Sequence, residues 1–303
     1  TIPNNVTEIG EYAFGWCENL QMIDIPNSIT SVSLGAFYMC KSLTSITIPD
    51  SVTKIGRSAF DGCKNLTNIT IPNSVTEIGY EAFQRCINLK RITIPNSVTM
   101  IGGSAFHWCD SLTSITTPSS IIEIEGGCFD DCKNLTRANI TYGVTEIGKF
   151  AFNKCKNLKI ITIPDSVTII GSGAFSFCKS LTSITLPDSV TEIGEHAFQC
   201  CKNLKNITIP NSVTKIGECA FISCKNLKEF KGDFASEDGR CLIINGELKA
   251  FAPAGLTSYT IPDNVISIGS RVFSGCDNLE SITISDSVTS IGWGAFKACK
   301  NLE

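Results

Sequence analysis

Cysteine is the residue type with the most chemical potential in this sequence, because a thiol can bind a metal, form a disulfide or act as a nucleophile. The chain of 303 residues contains 16 cysteines, and twelve recur at one position of a repeated unit, from Cys17 to Cys299. A zinc site needs four ligands that converge on one point, and a disulfide needs Cβ atoms about 3.8 Å apart. Single thiols spaced one repeat apart along a ladder meet neither condition. The spacing therefore predicts a column of buried free thiols that pack as small apolar groups.

The other four cysteines lie outside this register. Cys128 occupies a position that holds alanine in most repeats, so we expect it to be buried. Cys200, Cys219 and Cys241 have no place in the apolar pattern, and we expect them to be free and partly exposed.

Catalytic and metal-binding groups are sparse. The two histidines, His107 and His196, have no partnered Ser, Cys or carboxylate repeated nearby, and we expect both to be solvated surface residues. The acidic stretch 232–240 lacks the spacing of a calcium-binding loop and is interpreted as an ordinary loop. We therefore predict no catalytic residue, no cofactor and no metal, so the protein is not expected to be an enzyme.

Composition narrows the class of partner. Charged residues make up 18% of the chain and the net charge is −4; the basic residues are scattered, so nucleic acid is not an expected partner. No apolar run is long enough to cross a bilayer, and we expect no membrane insertion in this segment. The sequence starts inside one repeat and stops inside another, so we expect any secretion signal or anchor to lie outside this fragment.

A 23-residue repeat positions all of these groups. Aligning the chain on one phenylalanine gives 23-residue steps from Phe14 to Phe221, and then Phe273 and Phe296. The unit reads L-x-x-I-T-I-P-[ND]-S-V-T-x-I-G-x-x-A-F-x-x-C-x-x. A strict period of this length is typical of a solenoid, in which each coil covers the apolar groups of its neighbour. We predict a single solenoid of about 12–13 coils over residues 1–303.

Each part of the unit has an expected conformation. Within 43–49, Ile46 and Ile48 alternate with outward Ser45 and Thr47, which predicts a short strand that the following proline ends. The V-T-x-I segment predicts a second short extended piece, and the glycine after it predicts a corner with positive φ. The A-F-x-x-C segment is too short for a full helix and predicts a helical or 3-10 turn with Ala, Phe and Cys inward.

One unit departs from the period. From Leu227 to Leu256 the step is 29 residues, and A-F-x-x-C is missing. Asn245-Gly246 separates two apolar stretches, and this dipeptide favours the type I′ turn of a hairpin. We predict an irregular coil with a β-hairpin insert at 228–255, which serves either as a stacking adaptor or as a local recognition feature.

The repeat, as in LTNITIPNSVTEIGYEAFQRC at 66–86, resembles the BspA-like leucine-rich repeat, also called the Treponema pallidum type. The resemblance covers essentially the whole chain, including the insert. It implies an α/β-type leucine-rich-repeat solenoid with a parallel β-sheet on the concave face and short helical or 3-10 turns on the other side. It also implies a surface-exposed or secreted protein of a host-associated bacterium or protist parasite, which binds host proteins or other cells and has no catalytic residues.

The outward side chains of the first strand are the candidate binding residues. Threonine recurs at one outward position, whereas the preceding outward residue varies. Strand propensity and threonine packing explain the first column, and a concave docking surface accounts for both; the two interpretations are compatible. The predicted protein-binding residues are Met22, Asn68, Arg91, Arg137, Ile160, Asn206 and Glu229.

The expected function is a non-enzymatic scaffold at the cell surface or in secreted form that binds a protein, such as a host extracellular-matrix or cell-surface protein. Two alternatives stay open: a structural spacer that holds another domain away from the cell surface, and the repeat region of a larger enzyme. Apolar coil faces left open at the two ends would allow end-to-end self-association.

Overall fold

The computed structural model describes residues 2–303, which form a stack of about twelve coils. A regular coil consists of a three-residue strand, a two-residue strand and a segment of consecutive turns, except that the coil beginning at Leu181 lacks the three-residue strand. None of these residues lies in a helix, so this part of the chain has no helix that could cross a membrane.

The strands are very short and follow one another regularly along the chain. In chain order they are β1 (Met22–Asp24), β2 (Ser31–Val32), β3 (Ser45–Thr47), β4 (Lys54–Ile55), β5 (Asn68–Thr70), β6 (Glu77–Ile78), β7 (Arg91–Thr93), β8 (Met100–Ile101), β9 (Ser114–Thr116), β10 (Glu123–Ile124), β11 (Arg137–Asn139), β12 (Glu146–Ile147), β13 (Ile160–Thr162), β14 (Ile169–Ile170), β15 (Glu192–Ile193), β16 (Asn206–Thr208), β17 (Lys215–Ile216), β18 (Glu229–Lys231), β19 (Cys241–Ile244), β20 (Glu247–Phe251), β21 (Ser258–Thr260), β22 (Ser267–Ile268), β23 (Ser281–Thr283) and β24 (Ser290–Ile291).

The strands form two columns, one of three-residue strands and one of two-residue strands. Neighbours pair in parallel with an offset of one repeat, so that Ile23 of β1 lies beside Ile46 of β3 and Ile55 of β4 beside Ile78 of β6. The central residue of β3 is buried and its two flanking residues are exposed, as alternation along a strand requires. The predicted parallel strands and their inward isoleucines are confirmed.

The repeat phenylalanines form the centre of the core. From Phe14 to Phe221 successive rings stack in one column, with neighbouring centroids 5.2–5.7 Å apart and ring planes within 16° of parallel. The rings from Phe37 to Phe198 are completely buried. Because each ring is covered by the rings of the adjacent coils, no single repeat could keep it from water.

The turn segment is not helical, and the prediction of a helical or 3-10 turn was wrong. The N–H groups of Ser58, Phe60 and Gly62 donate to carbonyl oxygens of the next coil, whereas the N–H groups between them close four-residue turns within the coil. Ser58 and Gly62 have φ of 51° and 75°, in the left-handed region that ends a right-handed helix. The segment is thus a ribbon of turns in which alternate N–H groups join one coil to the next.

The repeat glycine does not adopt positive φ either, so the predicted reason for it was wrong. Gly56 is absent from the left-handed region. A Cβ atom at Gly56 would lie 2.7 Å from the carbonyl oxygen of Val32 and 2.8 Å from the carbonyl carbon of Ser33. At Gly56 the main chains of adjacent coils therefore approach too closely for a side chain, although Ser33 and Glu125 occupy the same position in two other coils.

The predicted hairpin is present. Strands β19 and β20 pair antiparallel, and the turn residues Asn245 and Gly246 have φ of 52° and 77°, as a type I′ turn requires. Strand β20 then pairs in parallel with β22, so the hairpin continues the column of two-residue strands.

The hairpin divides the core into two clusters. Leu242 and Ala250 pack with the cluster of the preceding coils, whereas Ile243 and Leu248 pack with the cluster of the following coils. An apolar face on each side is what a stacking adaptor needs, and this favours the adaptor interpretation of the insert. On the side of the turns, however, nothing replaces the missing A-F-x-x-C segment.

The missing segment interrupts the main-chain hydrogen bonds between coils. The N–H groups of Cys219, Phe221 and Ser223, at the positions that donate to the next coil elsewhere, have no main-chain acceptor within residues 2–303. Only side chains join the two turn segments across this gap: Lys225 Nζ lies 2.7 Å from Asp277 Oδ2, and Ser270 Oγ lies 3.4 Å from Glu218 Oε1.

Candidate functional site

The seven predicted binding residues lie in one row along the first column of strands. Each is the first residue of its strand: Met22, Asn68, Arg91, Arg137, Ile160, Asn206 and Glu229 begin β1, β5, β7, β11, β13, β16 and β18. Strand pairing places Met22 beside Ser45, Asn68 beside Arg91, Arg137 between Ser114 and Ile160, and Asn206 beside Glu229. We call this surface, with the outward threonines beside it, the strand face.

Side chains on the strand face are exposed to different degrees. Met22 is 69% and Ile160 48% exposed, which is high for apolar side chains. Asn206 and Glu229 are half-buried, and Glu229 Oε1 lies 3.1 Å from Lys231 Nζ. Arg91 and Arg137 are exposed and form no ion pair within residues 2–303.

The two arginines are two strands apart, since Arg137 pairs with Ser114 of the strand between them. At the usual strand spacing their Cα atoms are about 10 Å apart. The strand face therefore presents two unpaired guanidinium groups on neighbouring strand sets rich in hydroxyl side chains, and such groups bind carboxylates in bidentate fashion.

The repeat thiols form a second column, in which burial keeps the thiols unreactive. From Cys40 to Cys224 the thiols are buried, and each donates to the carbonyl oxygen of the phenylalanine of the preceding coil at 3.0–3.3 Å. Burial raises the pKa of the Cys40 thiol to about 11, and it raises that of Cys86 further. A thiol that stays protonated is neither a nucleophile nor a metal ligand, and all 16 cysteines are free.

The four cysteines outside the register behave in two ways. Cys128 is buried, as predicted, and Cys200 and Cys219 are half-buried. Cys241 is buried, and the expectation that it is partly exposed was wrong. It begins the hairpin, whose inward face becomes part of the second core cluster, so its thiol is covered by residues that the repeat pattern does not contain.

A network of polar side chains crosses the surface formed by the turn segments, which we call the turn face. The Asp61 carboxylate is only 2% exposed, and Arg85 of the next coil donates to both of its oxygens, at 2.9 and 2.7 Å. Burial raises the pKa of Asp61, and the Arg85 guanidinium limits that rise. Asp61 and Arg85 are 24 residues apart in the sequence and lie in adjacent coils, and the pair joins a buried carboxylate to a half-buried guanidinium group.

Both histidines are half-buried, so the expectation of two solvated side chains was wrong. His107 Nδ1 lies 3.1 Å from Gln84 Nε2, its Nε2 lies 3.7 Å from Asp130 Oδ2, and its ring stacks on Trp108. Burial lowers the pKa of His107, and Asp130 opposes that effect. His196 Nδ1 is buried without a hydrogen-bond partner within residues 2–303. Neither arrangement contains a nucleophile.

An open groove lies at the first coils of the turn face. The rings of Tyr12, Trp16 and Tyr38 cluster there, with centroid distances of 5.0–5.9 Å. The charged residues Arg57, Asp61, Glu81 and Arg85 line the rest of the groove, together with Leu34, Ser58 and Gln84, and its volume is about 460 Å³. We call it the aromatic groove.

The comparison with protein families decides the identity of the repeat. The profile described as "BspA type Leucine rich repeat region (6 copies)" matches residues 1–111, 99–228 and 247–303. The chain belongs to the BspA-type leucine-rich repeat family. None of the curated proteins matches it.

Solved structures of other leucine-rich repeat proteins share the fold of this BspA-type chain. A leucine-rich repeat protein of Bacteroides ovatus is 33% identical, with a TM-score of 0.82, over 100% of this chain and 85% of that one. A leucine-rich cell-surface protein of Faecalibacterium prausnitzii is 30% identical, with a TM-score of 0.64, over 94% and 87%. The T. pallidum leucine-rich repeat protein is 35% identical, with a TM-score of 0.51, over 53% and 77%.

The prediction of binding residues missed the turn face of this BspA-type solenoid. Its signal was nonetheless available, because the residues of the polar network follow the repeat phenylalanine at 23-residue intervals. Reading that one column gives Tyr38, Asp61, Gln84, His107, Asp130 and Asn153. A continuous polar column beside a buried phenylalanine column indicates side chains that bond to one another between coils.

Proposed function

We propose that this chain is a non-enzymatic binding scaffold, exposed at a cell surface or secreted, and that its strand face binds a protein. The observation that carries the proposal is the pair of exposed arginines, Arg91 and Arg137, which form no ion pair with the described residues and lie near the centre of the row. Leucine-rich repeat proteins generally mediate protein–protein interaction, and this family membership supports the same function.

The chemistry of the row indicates what kind of partner surface it fits. Two free guanidinium groups about 10 Å apart suit carboxylates on an acidic partner surface. The exposed side chains of Met22, at the first strand of the row, and of Ile160, beside Arg137, add apolar area, and a well-packed apolar anchor is a frequent source of binding energy. A host extracellular-matrix or cell-surface protein is the proposed partner, and the resemblance to a cell-surface protein of F. prausnitzii supports the location.

The test is retention of host extracellular-matrix and cell-surface proteins on the immobilised chain. The double variant Arg91→Ala with Arg137→Ala should weaken retention at least tenfold. The matched control replaces Lys64 and Lys156 by alanine, because both are exposed cations off the strand face. Equal retention by the two double variants would contradict the assignment of the strand face.

A structural spacer is the second candidate, and the uninterrupted phenylalanine column from Phe14 to Phe221 favours it. A stack with a continuous core holds its two ends at a fixed distance without needing a ligand. If the wild-type chain retains no protein from these preparations, the spacer replaces the binding scaffold as the proposed function.

A further inference from the structure

We infer that the aromatic groove is a binding subsite for an uncharged saccharide unit of a glycan. This site is on the turn face, away from the strand face, and it adds a second ligand class to the proposed protein partner. Three features of the groove carry the inference: the arrangement of its aromatic rings, the pairing of its charged side chains and the packing of the Tyr12 ring over the next coil.

The rings form a corner with open faces. Tyr12 and Trp16 are nearly parallel, at 23° and 5.7 Å, and Tyr38 is steeply inclined to both, at 81° and 70°. Trp16 is 59% exposed, although an aromatic side chain of this size gains most from burial. The C–H faces of a pyranose ring pack against aromatic faces, so a corner of this kind offers a sugar two contact surfaces.

The polar wall of the groove consists of two arginine–carboxylate pairs, of which Asp61–Arg85 is the more buried. Arg85 engages Asp61 through Nε and Nη2, and Arg57 engages Glu81 through the same two nitrogens, at 3.4 and 3.3 Å. Ser58, which is buried, also lies 3.1 Å from the Glu81 carboxylate. The Arg57 Nη1 group and the remaining lone pairs of the Glu81 carboxylate are therefore available to hydroxyl groups, whereas the Asp61 carboxylate is buried. Preorganised polar groups bind at a lower entropic cost than mobile ones.

Charge selects the class of ligand. The groove contains two guanidinium groups and two carboxylates, and each carboxylate already has its own arginine. A cationic ligand would meet Arg57 and Arg85, and an anionic ligand would meet Asp61 and Glu81. A neutral ligand rich in hydroxyl groups meets no uncompensated charge and can use both donors and acceptors. The volume of about 460 Å³ is within the usual range for small-molecule sites.

A ring at the Tyr12 position that lies over the glycine of the next coil occurs twice within residues 2–303, at Tyr12 and Gly35 and at Phe150 and Gly173. Only the first of these coils adds a second ring, Trp16, where the coil of Phe150 has Lys154. The position of Tyr12 holds glycine in the next coil, and a Cβ atom at Gly35 would collide with the Tyr12 ring. Tyr12 therefore leans over the second coil, toward Tyr38 and the charged wall. In the first coil both positions with a left-handed backbone hold large rings, Tyr12 and Trp16. The equivalent of Tyr12 in the next coil is Gly35, and this combination creates the open corner.

The experiment uses the full chain on an array of neutral hexose and N-acetylhexosamine oligosaccharides, with sialylated and sulfated oligosaccharides and a lysine-rich peptide as comparison ligands. We expect binding to a neutral oligosaccharide, measured afterwards by calorimetry. Trp16→Ala should weaken it at least tenfold, whereas Trp293→Ala, which removes another exposed tryptophan, should not change it. Circular dichroism checks that Trp16→Ala is folded. If it is not, Arg57→Ala replaces it in the binding assay and should likewise weaken binding.

The outcomes separate this inference from the proposed function. The double variant Arg91→Ala with Arg137→Ala should keep full affinity for the oligosaccharide, because those residues lie on the strand face. Binding to none of the neutral oligosaccharides, binding only to the acidic oligosaccharides or the peptide, or equal losses in Trp16→Ala and Trp293→Ala would each overturn the inference. None of these results would bear on protein binding by the strand face.

Discussion

Cys63 donates its thiol proton to the carbonyl oxygen of Phe37, one coil earlier, across 3.1 Å. The same relationship recurs along the stack, so the thiol column serves as a line of hydrogen bonds between coils as well as a line of small apolar groups. The Phe37 carbonyl oxygen also accepts the N–H of Cys40, at 3.2 Å, so the thiol is a second donor that ties an already satisfied acceptor to the next coil.

The thiols should therefore differ sharply in reactivity. Under native conditions we expect a thiol-specific disulfide reagent to modify Cys17 quickly, because it alone is exposed among the cysteines. The half-buried Cys200, Cys219 and Cys299 should react more slowly, and the buried repeat cysteines only after unfolding in guanidinium chloride. The reaction is followed by absorbance.

Cys17→Ser is the control for that measurement, and it should remove the fast phase while leaving the slow phases unchanged. A fast phase that accounts for most of the cysteines would mean that the column is open to solvent.

Replacing a repeat glycine should test the close approach of adjacent coils. Gly56→Ala puts a Cβ atom 2.7 Å from the carbonyl oxygen of Val32, so we expect it to lower the free energy of unfolding by about 1–3 kcal/mol. Gly10→Ala is the matched control, because Gly10 occupies the same position of the repeat and a Cβ atom there meets nothing within 4 Å. Denaturant unfolding measures both, and equal effects would show that glycine is needed for another reason.

Burial of His107 should make stability depend on pH. Burial holds the pKa of His107 below its ordinary value of about 6.5, so in the window below that value the unfolded chain binds more protons than the folded one. Stability is then complete above about pH 6.5 and falls as the pH drops through the folded-state pKa. The nearby Asp130, 3.7 Å away, limits the loss.

The variant His107→Gln isolates this contribution, because glutamine does not titrate. The difference in unfolding free energy between pH 7.5 and pH 5 should be smaller in the variant than in the wild type. A wild-type difference that is unchanged in His107→Gln would assign the pH dependence to other groups.

Amide exchange should reveal the interrupted ladder beside the hairpin. The N–H groups of His196, Phe198 and Cys200 donate to the next coil, whereas the equivalent groups of Cys219, Phe221 and Ser223 have no such acceptor. We expect the second set to exchange with deuterium markedly faster than the first, as measured by mass spectrometry of short peptides or by NMR. Equal protection of the two sets would mean that the gap closes in solution.

The repeat pattern predicted the strands and the core because both depend on properties that one coil shows by itself. The alternation of Ile46 and Ile48 with polar residues identifies the strand, and the invariant phenylalanine identifies the inward side. The Asn245-Gly246 turn was predictable for the same reason, since few dipeptides accept positive φ at both positions.

The turn segment was not predictable in this way. Its A-F-x-x-C spacing suits a helical turn and a ribbon of turns equally well. What decides between them is the left-handed conformation of the residues before Ala and before Cys, and those positions hold residues as different as Trp16, Phe150 and Arg271. Their N–H groups bond to the next coil, so the conformation depends on stacking and has no signature within one repeat.

The glycine and the histidines illustrate the same limit at single residues. Glycine satisfies both a positive φ and a close approach, and only the distance between Gly56 and the preceding coil distinguishes the two. The burial of His107 comes from Gln84 and Asp130, which are its neighbours in adjacent coils. Contacts of this kind appear in the sequence only when one position is followed from repeat to repeat.

The hairpin, which has an apolar face on each side, acts as an internal capping element. Leu242 and Ile243 belong to different core clusters. Unfolding of the last two coils would therefore expose only the smaller cluster to water, and the hairpin would still cover the end of the larger one. Arrays of repeats ordinarily have such a terminator at an extremity. Because the hairpin lies within this chain, the coils before it should stay folded when the coils after Ala254 are removed.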